Sequence, residues 1–281
     1  MAYEQMLVPV LEKQALAKNI YRMVLQCRSI AQQAACGQFV HLLPVGCTLR
    51  RPISICEINK AAGTLTIVFE VKGTGTDALA NVRVGENVDI LGPLGHGFTI
   101  LPEAKHVVVV GGGIGNPPML SLAQVYGERA TAICGFRSAN IVTLQDEFHA
   151  SGAETILCTD DGTAGRQDLV TEPLKEQLAK GDVDMVYACG PRPMLKFVAA
   201  AAKEYGVRCE VSMEERMGCG IGACLVCACQ LEREGKSVMG HVCKDGPVFP
   251  AEEGCLVMAN LAVNVAGVSF KNPIIPASGV F

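Results

Sequence analysis

Four cysteines in the C-terminal part of the chain constrain it more than any other feature. Cys219, Cys224 and Cys227 have the spacing C-x4-C-x2-C, and Cys243 follows after fifteen residues. This is the ligand pattern of plant-type [2Fe–2S] clusters, in which four thiolates hold two irons. Glycines between the cysteines allow the sharp turns that such a loop needs. We therefore predict that these four cysteines bind a [2Fe–2S] cluster.

Two other interpretations of the cysteines stay open. Structural zinc usually takes two C-x2–4-C pairs, whereas three of these cysteines share one loop and the fourth stands apart. Plain reduced thiols are the second alternative. Cys229 and Cys255 also lie nearby, and Cys229 could replace a neighbouring ligand.

Composition excludes several classes of function. The chain has 281 residues, 49% of them apolar, which is enough for two or more packed domains. A net charge of −4 argues against binding to nucleic acid. No apolar run reaches the ~18 residues of a membrane span. Fourteen cysteines behind an acidic N-terminus, which does not resemble a signal peptide, predict reduced thiols and a cytoplasmic location.

The first third of the chain has the alternation of β-strands. The clearest strand is predicted at residues 64–72, where Leu65, Ile67, Phe69 and Val71 share one face. Shorter strands are predicted at 5–10, 20–27 and 87–91, with glycine and proline between them. Short strands at this spacing favour an antiparallel β-barrel over residues 1–101.

Residues 102–212 alternate between strands and helices, which predicts a doubly wound parallel sheet. The predicted strands are 106–110, 130–134, 155–158, 185–189 and 207–212, and the predicted helices are 118–126, 144–150, 169–180 and 192–205. Residues 213–257 then form a small cysteine- and glycine-rich cluster domain, too short to bury a core alone. Residues 258–281 form an apolar tail.

A glycine-rich turn follows the first strand of the predicted parallel sheet. Gly111, Gly113 and Gly115 come between the valine-rich strand and a helix, where a pyrophosphate can approach a helix N-terminus. The spacing differs from G-x-G-x-x-G, and a purely structural turn is the alternative. Arg137, after the next strand, could meet a 2′-phosphate or be a solvated surface residue. Cys189 ends another parallel strand, at the edge where ligands bind in such sheets.

Two segments of the barrel could hold a second phosphate group. Arg51 and Ser54 lie in a segment that we place between strands, and residues 73–76 form a Gly/Thr turn after the clearest strand. A cation with backbone amides can hold a pyrophosphate. Ordinary turns are the alternative for each segment taken alone.

Together these motifs resemble the ferredoxin-NADP reductase superfamily. The motifs are Arg-Pro-Ile-Ser at 51–54, Gly-Thr at 75–76, Gly-Gly-Gly-Ile-Gly at 111–115 and Cys-Gly-Pro at 189–191. The cysteine loop and the later His-Val-Cys-Lys-Asp-Gly-Pro-Val-Phe narrow the resemblance to electron-transfer subunits of NAD-dependent (class 1B) dihydroorotate dehydrogenases. The resemblance covers roughly residues 5–257.

The resemblance implies FAD in the barrel, NAD on the α/β domain and a [2Fe–2S] cluster beside the flavin. The residues implied to contact FAD are Arg51, Pro52, Ile53, Ser54, Val68, Phe69, Glu70, Gly75 and Thr76. Those implied for the nucleotide are Gly111, Gly112, Gly113, Gly115, Cys189, Gly190 and Pro191. In the wider superfamily a tyrosine commonly stands where Ile53 does, so stacking on the flavin is not available from that position.

The implied activity is an electron relay in pyrimidine biosynthesis. Electrons from an FMN-binding catalytic subunit, which oxidises dihydroorotate, pass through the cluster and FAD to NAD. Hydride transfer by a flavin needs stacked rings rather than a general base, so no catalytic side chain is expected. The resemblance also implies a heterotetramer of two such chains with two catalytic subunits, with no nucleic acid and no membrane as partners.

The tail carries a second resemblance. Residues 260–279 are similar to the start of the catalytic subunit of the same enzyme, which begins with a hairpin turning near residues 266–267. A (β/α)8 barrel needs about 250 residues, so the tail cannot contain one. We expect it to reflect a fused polypeptide or a read-through past Met258.

Two rival functions remain at this stage. The first is the flavin subunit of an NADPH:ferredoxin or sulfide oxidoreductase, which shares most of the layout and which Arg137 keeps open. The second is a non-enzymatic cluster carrier or redox sensor, against which the intact flavin and nucleotide motifs argue.

Overall fold

A computed structural model describes residues 3–253, 263–265 and 268–270. The N-terminal unit is a closed barrel with the strand order β1-β2-β5-β4-β3-β6, and every pair is antiparallel. Its elements are β1 (Glu4–Ala17), β2 (Ile20–Gln26), α1 (Arg28–Gln33), β3 (Phe39–Leu43), β4 (Arg51–Asn59), β5 (Thr64–Glu70), α2 (Thr74–Asn81) and β6 (Asn87–Leu94). The predicted barrel and its four predicted strands are confirmed.

Two of the sequence expectations for the barrel were wrong in detail. Arg51, Pro52, Ile53 and Ser54 do not lie between strands but begin β4 and pair with β3. Residues 73–76 do not form an isolated turn. Gly73 is the N-cap residue of α2, and Thr74 begins the helix. The reason is tertiary: β4 is the only partner that closes the sheet between β3 and β5, so this proline-containing segment is drawn into the barrel.

Strand β5 is buried on both faces. Leu65, Ile67 and Phe69 fill the barrel interior as their alternation predicts. Val68, on the opposite face, is also buried, because it packs into a core shared with the second unit. The barrel therefore uses its outer surface to hold the α/β domain.

The second unit is a six-stranded sheet with the order β14-β11-β10-β7-β8-β9, parallel except for β14. Its elements are β7 (Val107–Gly112), α3 (Asn116–Tyr126), β8 (Ala130–Phe136), α4 (Gln145–Ala150), β9 (Glu154–Thr159), α5 (Thr171–Leu178), β10 (Met185–Cys189), α6 (Arg192–Glu204) and β11 (Arg208–Ser212). Val108 and Val110 pack in one core and Val107 and Val109 in another, so helices cover both faces. The predicted doubly wound sheet is confirmed.

The cluster segment shares the core of its neighbour. It contains β12 (Ala228–Arg233), β13 (Lys236–His241) and β14 (Val248–Pro250). β14 adds to the edge of the parallel sheet, with Phe249 opposite Val211. Leu231, Val242 and Phe249 are buried in the same core as the helix α6. The short segment thus obtains from the sheet the apolar burial that it cannot supply itself.

Only two short strands of the tail are described. β15 (Val263–Val265) and β16 (Val268–Phe270) pair antiparallel, with Val265 opposite Val268. The predicted turn at 266–267 and the predicted start of a barrel strand beyond residue 270 lie outside the described residues. Within the described residues, none of the helices has the length and apolar character to cross a membrane.

Candidate electron-transfer site

One cleft lies where the three units meet. The barrel lines it with Pro52, Ile53 and Ser54 from β4, Val68, Phe69 and Glu70 from β5, and Thr76 from α2. These are seven of the nine residues implied for FAD. The nucleotide loop adds Ile114 and the cluster segment adds Met217. The cleft therefore brings together residues of the three units to which the sequence assigns FAD, NAD and the cluster.

The other two residues implied for FAD touch each other beside the cleft. The backbone of Gly75 passes so close to Arg51 that a Cβ at this position would collide with the guanidinium. The guanidinium donates hydrogen bonds to the carbonyls of Leu49, at 2.7 Å, and Arg50, at 3.2 Å. The guanidinium thus lies beside the backbone N–H groups at the N-terminus of α2. A cation together with such N–H groups can bind an anion.

The two adjacent arginines have different roles. Arg50 is held by Asp89 at 2.9 Å and donates to the His41 carbonyl at 3.1 Å, so it fastens β3, β4 and β6 together. Arg51 has no carboxylate partner in the described part of the chain. Only Arg51 is thus available for a phosphate.

The nucleotide loop sits at the reversal of strand order in the parallel sheet. β7 and β10 are neighbours, with Gly111 opposite Cys189, and the chain leaves them in opposite directions through α3 and α6. Ligands bind at such switch points in open α/β sheets. Gly115 packs directly on the Cys189 carbonyl, where a Cβ would not fit. Two predicted segments, 111–115 and 189–191, therefore form one surface.

The side chains at this edge define what it can do. Cys189 is buried, and burial raises the pKa of its thiol to about 12, so it stays protonated. Pro117 and Pro118 lack N–H groups, so an anion at this helix start would be held by the N–H groups of 113–116. Arg137 is exposed beyond the end of β8. The Asp161 carboxylate, after β9, accepts from the N–H and hydroxyl of Thr163 and organises a turn.

The four predicted ligand cysteines lie in two pairs. The Cys219 N–H donates to the Cys224 sulfur and the Cys224 N–H to the Cys219 sulfur, both at 3.3 Å. The Cys243 N–H donates to the Cys227 sulfur at 3.4 Å. Two thiols for each of two irons is the requirement of a [2Fe–2S] cluster. Among the described residues, no three His, Cys, Asp or Glu side chains converge closely enough to hold a single metal ion.

The backbone of the loop prepares Cys219 for a metal. Burial raises the pKa of this thiol, but N–H groups of Ile221, Cys224 and Ala223 directed at the sulfur outweigh it and lower the pKa to about 7. Thiolates are the form that binds iron. The loop therefore stabilises negative charge at sulfur, as a cluster-binding loop must.

The pKa of Cys243 moves in the opposite direction. Burial, followed by its contact with Cys227, raises it to about 12. Binding of a cluster would therefore have to displace a proton from this sulfur.

Cys229 lies in a different environment from the cysteines of the loop. It lies on β12 opposite Gly240, buried, and burial raises the pKa of its thiol to about 11. Cys255, the other nearby cysteine, lies outside the described residues.

Three residues of the site are not among those predicted from the sequence. Glu214 and Glu215 line the cleft, and Glu215 forms an ion pair with Arg192 at the start of α6. Their position just before the cysteines is the signal that could place them here. His41 is fully buried against the cluster loop. Nothing in its sequence neighbourhood pointed there.

Comparison with known proteins decides the family. The family model described as the iron–sulfur cluster binding domain of dihydroorotate dehydrogenase B matches residues 214–254. Curated proteins of Bacillus cereus (strain AH187) and Bacillus anthracis (strain CDC 684) are 40% identical over 256 residues, covering 87% of this chain and 96% of theirs. Each is called dihydroorotate dehydrogenase B (NAD(+)), electron transfer subunit.

This chain belongs to that family of electron-transfer subunits. Among solved structures, one described as an NADH-dependent reduced ferredoxin-NADP oxidoreductase shares the fold with a TM-score of 0.78 and 28% identity, covering 88% of this chain and 89% of that one. A ferredoxin NADP+ reductase from Neisseria gonorrhoeae matches with a TM-score of 0.60 and 16% identity, over 73% and 92% of the two chains. The resemblance found in the motifs is confirmed.

Proposed function

We propose that this chain carries electrons to NAD in pyrimidine biosynthesis. The electrons come from an FMN-binding subunit that oxidises dihydroorotate. The observation that carries the proposal is the shared cleft. Ser54 of the barrel, Ile114 of the nucleotide loop and Met217 of the cluster segment line one space. Flavin, nicotinamide and cluster could thus meet without any movement of the domains.

The residues of the barrel fit FAD. Arg51, without a carboxylate partner, and the N-terminus of α2 at Gly75 would hold its pyrophosphate, while Pro52, Ile53 and Ser54 with Val68, Phe69, Glu70 and Thr76 would line its ring system. Gly75 supports this because its missing side chain is what lets the guanidinium lie against the helix start.

The α/β domain fits a pyridine nucleotide. The N–H groups after Gly112 would face the pyrophosphate, and Gly111, Gly113 and Gly115 would let it approach. Gly190 and Pro191 would border the nicotinamide. The buried, protonated Cys189 supports them from below and offers no charge of its own.

The cluster segment fits a [2Fe–2S] cluster. Cys219 with Cys224 would bind one iron, and Cys227 with Cys243 the other. When bound, FAD supplies the conversion between the single electrons of such a cluster and the hydride of a nicotinamide. The side chains of this chain would bind and orient these groups and exclude water.

The domain assignments and the assembly follow from this function. Residues 1–101 would bind FAD, 102–212 NAD and 213–257 the cluster. The partner would be an FMN-binding catalytic subunit in a complex of two plus two chains in the cytoplasm. Exposed Leu225 and Val226, 58% accessible each, flank the cysteines and suit a contact through which electrons enter.

Co-expression with a catalytic dihydroorotate dehydrogenase subunit tests the proposal. The native mass of the purified complex should equal two copies of each chain. NAD reduction by dihydroorotate should require both chains and should stop when the cluster is removed. A catalytic subunit that reduces NAD at full rate alone would overturn it.

One observation supports a second candidate. The solved ferredoxin-NADP oxidoreductase is 28% identical over most of the chain, and exposed Arg137 could accept the 2′-phosphate of NADP. Reduced ferredoxin supplied with NADP distinguishes the two functions. Turnover with this pair and none with dihydroorotate and the catalytic subunit would favour the second candidate.

A further inference from the structure

His41 is a buried polar side chain that the proposed function leaves unexplained. It lies on β3, opposite Pro52 of β4 and Leu91 of β6, with no exposed surface. Neither Nδ1 nor Nε2 has a hydrogen-bond partner. A buried donor without a partner carries a cost in stability. A leucine would fill the same place without this cost, so the imidazole needs a reason.

The ring is directed at the cluster loop. A Cβ on Gly220 would stand 2.6 Å from Nδ1 and 3.2 Å from Cε1 of His41, so the loop lies flat on the ring. Gly220 has φ +75°, which favours glycine for a second reason. The polar groups near the imidazole are the backbones of Cys219 and Arg50 and the charges of Arg50 and Arg51. Its apolar neighbours include Leu94, 3.2 Å from the same Cβ, and the edge of Phe39.

His41 also has a neighbour on the flavin side of the molecule. Its strand partner Pro52 lines the cleft, and the arginines that follow β3 include Arg51. His41 therefore lies next to one residue of the proposed flavin site, Pro52, and one residue of the cluster loop, Gly220. A polar group in this position acts on charge at either centre at short range and in a low dielectric.

We infer that His41 is a positioning residue of the iron–sulfur centre, whose ring N–H, directed at the loop beside Cys219, raises the reduction potential of the cluster. The inference rests on the proposed function. Hydrogen bonds and N–H dipoles around the sulfurs set the potential of such clusters. Because reduction adds negative charge, an N–H directed at the loop stabilises the reduced form more than the oxidised form.

Three variants of the holoprotein test the inference. His41→Met keeps the volume and removes the donor, and His41→Gln keeps an N–H. Leu94→Met is the matched control, because Leu94 touches the same glycine without any polar group. The wild-type holoprotein and each variant are titrated anaerobically with a reductant. Electron paramagnetic resonance follows the reduced cluster, and visible absorption follows the flavin.

We expect His41→Met to lower the ratio of reduced to oxidised cluster about tenfold at a fixed solution potential. For a one-electron couple this equals a fall of about 59 mV in the reduction potential of the cluster. His41→Gln should restore most of that ratio, and Leu94→Met should match the wild type. Equal cluster potentials in the wild type and His41→Met would overturn the inference, since packing alone would then explain the residue.

A measurement on the wild type covers the case in which a variant fails to fold. With 15N-labelled histidine, pulsed electron paramagnetic resonance of the reduced cluster should detect a nitrogen coupling that is absent in His41→Gln. No coupling in the labelled wild type would overturn the inference. Failure of the proposed function looks different, because the wild type itself would then lack a [2Fe–2S] signal or would never be reduced by dihydroorotate through its partner.

Discussion

The nucleotide domain and the cluster segment each contain a glycine-rich loop, but the two loops are stabilised in different ways. In the nucleotide domain, the loop joins a strand whose valines are 0–1% exposed to a helix that is buried along most of its length. In the cluster segment, Cys224, Leu225 and Val226 are exposed, and the loop is fixed by thiol pairs and by the ring of His41.

The difference separates a site made by packing from a site completed by metal. Buried apolar side chains hold 111–115 in place without a ligand, so the nucleotide surface is preformed. The loop at 218–227 has a buried anchor at Cys227, but residues 223–226 are exposed, so the loop depends on what its sulfurs bind. Metal binding then supplies part of the folding free energy of this region only.

The largest expected effect comes from removing a ligand. Cys227→Ser should lose the cluster and lower dihydroorotate-dependent NAD reduction at least about 100-fold, because a hydroxyl is a poor ligand for iron. NADH oxidation with an artificial acceptor should remain within about twofold, since it uses only the flavin and nucleotide sites. Iron content and both steady-state rates are measured.

Cys229→Ser is the control for this prediction. Cys229 is buried two residues further along β12, so this variant should keep its iron and both activities. Loss of the cluster in Cys229→Ser, or its retention in Cys227→Ser, would contradict the ligand assignment.

Cluster removal should loosen one region and leave the other unchanged. In holoprotein depleted of iron by a chelator, amides of 218–227 should exchange with deuterium about 100-fold faster, whereas those of 107–112 should keep their rates. Hydrogen exchange with mass spectrometry measures both regions in one sample. Equal loss of protection in β7 would show that the two regions do not differ as described.

Gly75→Ala should affect the flavin site more modestly. The added methyl group displaces the Arg51 guanidinium, and the loss of a charged hydrogen bond weakens FAD binding about tenfold. Flavin fluorescence titration of the apoprotein gives the dissociation constant. Gly73→Ala, two residues earlier in an extended backbone with nothing within 4 Å, should bind FAD like the wild type. Similar affinities for both variants would refute the role of this contact.

The smallest effect concerns the start of β7. The Asp184 carboxylate accepts from the N–H groups of His106, at 3.1 Å, and Lys105, at 2.6 Å, which lowers its pKa. A lowered pKa in the folded state gives stability that is present above the ordinary pKa and lost as pH falls below about 4. Asp184→Asn should cost no more than about 1 kcal/mol at pH 7 because the group is exposed.

Urea denaturation followed by circular dichroism at several pH values checks this. The difference between Asp184→Asn and the wild type should shrink as pH falls from 5 to about 3.5. A difference that stays constant over this range would mean that the charge of Asp184 plays no part.

The sequence predicts most where local pattern and burial agree. β10 was predicted at the residues where it occurs, and the strands and helices of the α/β domain fall within a few residues of their expected bounds. Strands such as β7, β8 and β10 are buried along their whole length, and short apolar runs mark them in the sequence. The cysteine spacing was informative for a similar reason, since ligand geometry is local to one loop.

Predictions were poorer where distant contacts decide. The Arg51–Ser54 segment joins β4 because β3 and β5 require a partner, and α1 and α2 have too few residues to show a helical period. Arg50 and Arg51 are adjacent and identical in type. Their roles differ because Arg50 pairs with Asp89, which lies 39 residues away in the sequence. His41 reaches Gly220 only through the fold. Such pairings have no local signature.

Anaerobic visible spectroscopy of the purified holoprotein tests the central claim most directly. Dihydroorotate is added first to this chain alone and then with the FMN-binding catalytic subunit, followed by NAD. The account predicts that the flavin and cluster bleach only when the partner is present, and that NAD restores their absorption. Bleaching by NADH or NADPH, but never by dihydroorotate with the partner, would contradict it.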